Sequence, residues 1–373
     1  MCGLFNKEFY LDNSATTKFK PPSVTAAVTN ALKDSANPGR SGHNAAVRAA
    51  LAVENARDTV NSLVGNGNVV FTKNATEALN LAIFGSGLSG EAVTSVMEHN
   101  SVLRPLNHLS KLGKIAIKYV APKGYAASFE EVKNAITKNT SAVVLAEQTN
   151  LTGGVTDIEK IGEYCLERGI KFIIDGAQSL GHTFAEYDKI KGITALCASG
   201  HKGLHAPQGT GFLLWRGGKL APLIHGGTGT EGIKLLQPET FPEGYESGTL
   251  NTPGIAGLAE GIKWTYKNKN EIAAKITEKS LFIAAELSKI EGIKLYSDGK
   301  SGVISFNYKD VPSTEIADRL NSNSIFVRSG IHCAPLAHKH LNTLEQGIVR
   351  ISLDFNSAIP HFDKFSECFN YTV

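Results

Sequence analysis

Lys171-Phe-Ile-Ile-Asp175-Gly-Ala-Gln178, followed by the turn Ser199-Gly-His-Lys202-Gly203, is the stretch that decides how this chain folds. Lys171 to Ile174 is a short apolar run of the kind that forms a buried strand, and it stops on a carboxylate. Lys202 comes 27 residues beyond Asp175. A strand-end Asp followed by a Ser-x-His-Lys turn supplies what a protein needs to hold pyridoxal 5'-phosphate (PLP) as a Schiff base. Lys202 would give the amine. Asp175 would keep the pyridine nitrogen protonated, so that the ring can accept electrons from a substrate carbanion.

Similar short apolar runs recur on either side, with helical patterns between them: Val69 to Thr72, Ala92 to Val96, Ile115 to Val120, Ala142 to Leu145 and Gly211 to Trp215. Alternating β and α units predict an α/β fold built on a mostly parallel, doubly wound sheet. Ligands of such sheets bind beyond the carboxyl ends of the strands, where the polar motifs of this chain fall. After Asn251-Thr-Pro-Gly254 the pattern changes to long charged helices, Ile255 to Lys267 and Glu271 to Ile290, then short strands at Val303 to Tyr308 and Gly347 to Leu353. We read a large domain over residues 16–254, and a smaller α/β domain made of residues 1–15 and 255–373.

The chain has 373 residues, enough for two cores, and 38 Lys plus Arg nearly balance 35 Asp plus Glu. Without a dense basic run, a nucleic-acid or membrane-surface partner has no electrostatic support, and a small-molecule substrate is expected. No uncharged apolar stretch reaches the roughly 18 residues of a membrane helix, and the N-terminus lacks the apolar core of a signal peptide. Five scattered cysteines, none at CxxC spacing, argue against a disulfide framework and for a reducing, cytoplasmic setting.

Several motifs surround the Asp175–Lys202 pair. Thr72-Lys-Asn-Ala-Thr76-Glu77 follows a strand and opens an amphipathic helix over 75–84. Alone it reads as a plain helix cap; beside Asp175 and Lys202 it reads as a phosphate site built from helix N–H groups and a threonine hydroxyl. His99, just past another strand, could lie over a cofactor ring and exchange protons with substrate. Asn150 and Gln178 could bond the phenolic O3' of the cofactor, although singly each would pass for a loop or capping residue.

A second segment, Val327-Arg-Ser-Gly-Ile-His332-Cys333-Ala-Pro335-Leu-Ala-His338-Lys-His340, sets a thiol in a Gly- and Pro-punctuated loop between His332 and Arg328. That makes Cys333 a candidate nucleophile. The competing reading is a metal site of His332, Cys333, His338 and His340, but the spacing is not a recognised one and PLP chemistry needs no metal. Cys2, Cys165, Cys197 and Cys368 are expected to be inert. Arg350, inside the apolar strand Gly347 to Leu353, must either pair internally or receive a substrate carboxylate.

With these residues in view, the chain resembles the class V aminotransferase superfamily of fold type I PLP enzymes, and within it the cysteine desulfurases. The resemblance rests on Tyr10-Leu-Asp-Asn-Ser-Ala-Thr-Thr17, Asn37-Pro-Gly-Arg-Ser-Gly-His43, Phe71-Thr-Lys-Asn-Ala-Thr-Glu-Ala-Leu-Asn80, Met97-Glu-His99, Asp175-Gly-Ala-Gln178, Ser199-Gly-His-Lys202, Tyr245-Glu-Ser-Gly-Thr-Leu-Asn-Thr252 and Arg328-Ser-Gly-Ile-His-Cys333. The last is similar to the SUF-type and selenocysteine-lyase branch, rather than the branch with a long flexible cysteine loop.

The resemblance implies a homodimer in which Lys202 is the Schiff-base lysine, Asp175 the pyridinium partner and His99 the stacking imidazole. It implies phosphate contacts from Ala75, Thr76, Ser199 and His201, with Thr249 donated across the dimer interface. Gln178 and Asn150 would contact O3' and substrate, Arg350 the substrate carboxylate, with Arg40 and His43 also on the substrate side. Cys333 would accept sulfur from L-cysteine for delivery to an acceptor protein or small thiol, and a selenocysteine lyase acting on L-selenocysteine is an alternative. A class V aminotransferase or a kynureninase-like lyase, with Cys333 incidental, is the other activity this pattern allows. Two departures stand out: Ala146-Glu-Gln-Thr-Asn150 replaces the usual His-x-Ser-Asn, and His205-Ala-Pro207 stands where Gly-Pro is common.

Overall fold

The computed structural model describes residues 8–39 and 41–369. Among them, twelve strands form three sheets. They are β1 (Phe9–Tyr10), β2 (Asn68–Thr72), β3 (Gly90–Ser95), β4 (Ile115–Val120), β5 (Thr140–Ala146), β6 (Lys171–Asp175), β7 (Ile193–Ser199), β8 (Gly211–Trp215), β9 (Ile293–Leu295), β10 (Val303–Tyr308), β11 (Ile325–Phe326) and β12 (Val349–Ser352). The large sheet has the order β2-β8-β7-β6-β5-β3-β4, and only β8 runs against the rest. This is the expected mostly parallel α/β sheet.

Period-2 geometry lets a strand buried on both faces feed two cores at once. In β6, Phe172 and Ile174 join one hydrophobic cluster, while Ile173 between them joins the other. The first cluster is covered by helices Asn44–Leu63, Ile158–Glu167 and Thr252–Lys267, the second by Ala75–Gly85 and Asn100–Lys111. Strand β7, which delivers the Lys202 turn, was not among the runs expected from sequence. Its residues Ile-Thr-Ala-Leu-Cys-Ala-Ser are mostly small, without the β-branched density that marks a strand, and its place between β6 and β8 makes it one.

Beyond Gly254 a second sheet, β12-β10-β9, packs its own cluster with Leu11, Ile283, Leu320 and Phe365. Strand β1 pairs in parallel with β11, tying the start of the described chain to this C-terminal part. The helices run Thr252–Lys267 and Lys269–Leu287, each beginning slightly earlier than the charge pattern suggests. Among the described residues, no helix is long and apolar enough to cross a membrane.

Candidate active site

Five strands of the large sheet release their chains at one edge, and the predicted polar residues gather there. A cavity of about 250 Å³ is lined by Ala75 and Thr76 after β2, His99 and Ser101 after β3, and Gln148 and Asn150 after β5. Asp175 and Gln178 come from the end of β6, and Ser199, His201 and Lys202 from the end of β7.

Each side chain is held by local chemistry. Asn74 caps the helix Ala75–Gly85, accepting from the Glu77 N–H at 3.0 Å, so the capping role falls to Asn74. The first-turn N–H groups of Ala75 and Thr76 have no intrahelical acceptor and remain available to an anion. His99 caps the next helix through Nδ1, which accepts from the Ser101 N–H at 3.0 Å and lies 2.8 Å from the Ser101 hydroxyl. Nε2 therefore carries the ring proton. Burial, with Lys202, Arg328 and Arg350 nearby, lowers the His99 pKa to about 4, so the ring is neutral at neutral pH.

Asp175 is buried and accepts from the Ala177 N–H at 2.9 Å. Burial raises its pKa, against the lowering effects of that N–H, Lys202 and Ser101. Burial also lowers Lys202 to about 8, with Asp175 opposing the shift. An amine at that value has a substantial neutral fraction near neutral pH, as nucleophile and base chemistry require.

The turn carrying Lys202 is fastened from two sides. The His201 carbonyl accepts from the Thr17 N–H at 3.1 Å and from Lys20 Nζ at 3.0 Å, and the Thr17 hydroxyl donates to the Lys202 carbonyl at 3.1 Å. On the other side Gly203 passes so close to Leu180 and Gly181 that a Cβ on Gly203 would strike the Leu180 carbonyl oxygen. The unusual His205 is wholly buried, donates from Nε2 to Asp354 at 3.0 Å, and shares a hydrogen bond with Thr265 at 3.1 Å.

The Cys333 loop reaches the same site. Asn150 Nδ2 donates to the His332 carbonyl at 2.8 Å, and the Asn100 N–H donates to the Cys333 carbonyl at 2.8 Å. His332 and Cys333 both sit in the left-handed region, at φ of 52° and 56°, over a small cluster of Met97, Leu151, Tyr296, Ala334 and Ala337. Cys333 is exposed. Cys165, Cys197 and Cys368 are buried, and burial pushes Cys165 up to about 12 and Cys197 well above its usual value.

The four residues weighed as metal ligands do not converge. His340 bonds the Pro122 carbonyl, His338 bonds Thr343, and the His332 and His338 rings lie parallel with centroids 6.1 Å apart. Arg350 is 1 % exposed, donating to the Asn150 carbonyl at 3.0 Å and to Asp12 at 2.9 Å, with its Nε unpartnered among the described residues. Of the two alternatives for that arginine, the structure shows the internal pairing, with Asp12.

His43 does not line the cavity; it is exposed and caps the helix Asn44–Leu63 through Nδ1. Thr249 is likewise exposed and away from the cavity lining. Arg40 and Cys2 lie outside the described residues. The departure at Glu147 is also explained: its carboxyl faces away from the cavity residues and accepts from the Tyr187 hydroxyl at 2.6 Å and the Thr183 hydroxyl at 3.0 Å. Gln148 lines the cavity instead.

Sequence reasoning gave no role to Asp12, Thr17, Gln148 or Ser101. Asp12 and Thr17 had a signal, a polar motif directly after a β-rich dipeptide; Gln148 and Ser101 had none.

The residues fit PLP. Gln178 Oε1, Asn150 Oδ1 and His201 Nδ1 are buried, without partners among the described residues, around one cavity that also holds two helix N–H groups, an amine and a buried carboxylate. Buried polar atoms of this kind are costly unless something meets them, the two amide oxygens by a donor and the ring nitrogen by either a donor or an acceptor.

This fold and this donor set define a class, and comparison of the sequence agrees: residues 9–365 match the family described as Aminotransferase class-V, and the chain belongs to it. Within the family it is 32 % identical to a probable cysteine desulfurase of Methanothermobacter thermautotrophicus, over 98 % of this chain and 94 % of that one. It is 30 % identical to a cysteine desulfurase IscS of Clostridium botulinum, over 88 % and 83 % of the two chains. The apo structure of a cysteine desulfurase from Thermococcus onnurineus superposes with a TM-score of 0.85 at 29 % identity, covering 97 % and 93 %.

Proposed function

We propose that this chain is a PLP-dependent cysteine desulfurase, converting L-cysteine to L-alanine and leaving the sulfur as a persulfide on Cys333. The observation that carries this reading is the joining of two motifs far apart in sequence. Asn150, which lines the Asp175–Lys202 cavity, also holds the backbone of the loop that exposes Cys333.

Lys202 would hold the cofactor covalently, Asp175 would face its ring nitrogen, and Ala75, Thr76, Ser199 and His201 would receive its phosphate. Gln178 and Asn150 would bond its phenolic oxygen. When bound, PLP supplies an electron sink for the pair released from the substrate Cα–H bond. Lys202, once freed, takes the Cα proton, for which an amine with a pKa of about 8 is suited. Arg350 holds the substrate carboxylate through the donor that Asp12 and Asn150 leave free. Neutral His99 offers Nε2–H as a proton-exchange group.

The Cys333 thiolate then attacks the substrate sulfur. An S–S bond forms, the Cβ–S bond breaks and its electron pair stays on the substrate carbons; one proton then goes to Cβ to complete the methyl group, and the proton that Lys202 took is returned to Cα, giving alanine. The net change moves one sulfur atom from L-cysteine to Cys333.

The proposal extends to a homodimer, supported by Ile233, Leu235 and Leu236, which are almost fully exposed on the segment preceding Thr249. It includes the division into residues 16–254 and residues 1–15 with 255–373, supported by their separate sheets and hydrophobic clusters. A cytoplasmic location and an acceptor protein or small thiol complete it.

The test is a single turnover of PLP-loaded protein with L-cysteine, reading alanine by chromatography and Cys333 by intact mass. Stoichiometric alanine with one added sulfur on Cys333 is expected. Ring absorbance changes without either product would overturn the desulfurase reading and keep the cofactor.

A further inference from the structure

A second cleft, of about 320 Å³, lies on the far side of Gln148, which forms a wall of both spaces. Gln148 is 1 % exposed, and its Nε2 donates to the Ser301 carbonyl at 3.1 Å. A carbonyl can only accept, so the amide orientation is fixed and Oε1 is left buried with no partner among the described residues. His182 repeats the pattern. Its Nδ1 lies 2.8 Å from the Gln178 carbonyl and must carry the proton, which leaves Nε2 as a bare, buried acceptor. Burial lowers the His182 pKa, consistent with a neutral ring. The Ser301 hydroxyl is a third buried polar atom here without a partner among the described residues.

At the mouth stand two opposite charges, Asp298 and Lys300, on one exposed turn in which the Lys300 N–H donates to Asp298 Oδ1 at 3.0 Å. A buried acceptor without a donor is destabilising. Two in one cleft, beside a carboxylate, call for a compact group with several N–H donors, and the lysine calls for an anion. A small zwitterion carries both.

We propose that this cleft is an accessory site for a free α-amino acid, with the ammonium toward Gln148 Oε1 and His182 Nε2 and the carboxylate toward Lys300. Because Gln148 borders both spaces and the Gln178 backbone holds His182, an occupant would touch the wall of the catalytic cavity without entering it. That L-cysteine and L-alanine are the relevant amino acids rests on the proposed function; that the cleft takes an amino acid does not.

Equilibrium dialysis of the PLP-loaded protein against radiolabelled L-alanine tests this, with ring absorbance reporting occupancy of the catalytic cavity separately. Wild type is expected to retain two equivalents per chain. The double variant D298N/K300Q, confined to an exposed turn whose Oδ1 acceptor it preserves, is expected to retain one, with an unchanged ring titration. A single equivalent or none in wild type, or two in the variant, overturns the site. Two equivalents in a protein that makes no alanine from L-cysteine would overturn the proposed function and leave the site standing.

Discussion

Replacing His205 by alanine removes the partner of a buried carboxylate, and the cost can be worked from the surroundings. His205 and Asp354 are both 0 % exposed as side chains, and His205 sits among Phe19, Trp264 and Phe355. After H205A, Asp354 keeps the Phe355 N–H at 2.9 Å but its buried carboxylate loses the only side chain that bonds it among the described residues. Breaking such a pair costs ~3–5 kcal/mol. With an unfolding entropy of about 2 cal/mol/K per residue, a chain of this length should lose roughly 4–6 °C in Tm.

The pH dependence has a definite sign. Burial alone would raise the Asp354 pKa, but the His205 hydrogen bond and charge bring it below the usual carboxylate value. The stabilisation is therefore present above the ordinary Asp range, near pH 4, and is lost as pH falls through the depressed folded value. The gap between wild type and H205A should be widest at neutral pH and narrow in acid. The assay is thermal melting from pH 3 to 8 of wild type, H205A and H205A/D354N. If the loss comes from an unpaired charge, D354N in the H205A background restores most of it. A double variant no more stable than H205A would refute the reasoning.

Other outcomes follow from the same geometry. Uptake of PLP by cofactor-free protein should accelerate with pH around a midpoint near 8, the lowered value of the Lys202 amine; a midpoint above 10 would contradict its burial. Cys333→Ala should keep the ring absorbance and lose L-cysteine turnover, and a wild-type rate in that variant would remove Cys333 from the chemistry. Tyr187→Phe, which deprives buried Glu147 of its 2.6 Å donor, should cost ~1–3 kcal/mol in denaturant melts. Its KM for L-cysteine should stay within about twofold of wild type, because Glu147 faces the core; a larger change would place Glu147 against the substrate.

The parts of the site legible in sequence were those fixed by strand ends. Asp175 ends one predicted run and His99 follows another at the same sheet edge, so topology carries them together without knowledge of packing, whereas Lys202 was legible only through its Ser-x-His-Lys turn. What stayed hidden depends on contacts across long separations. The pairing of Asp12 with Arg350 joins opposite ends of the chain, and the direction in which Glu147 points is set by Tyr187, forty residues later. His205 was noticed as odd, but its role lies with Asp354 and Thr265, which no spacing rule connects to it. Strand β7 was missed because burial between two neighbours, rather than its own composition, makes it extended.

The left-handed pair His332–Cys333, pinned at both carbonyls by Asn150 and Asn100, has a consequence for traffic after the reaction. A thiol on a long slack loop can carry cargo outward like a crane arm. This one has its backbone moored to Asn150, a residue of the cavity wall, and to Asn100, which shortens its reach. Under the proposed function, any recipient must come alongside and present its own nucleophile within bonding distance of Sγ. The shape of the quay around residues 331–339 would then decide which molecules can unload sulfur.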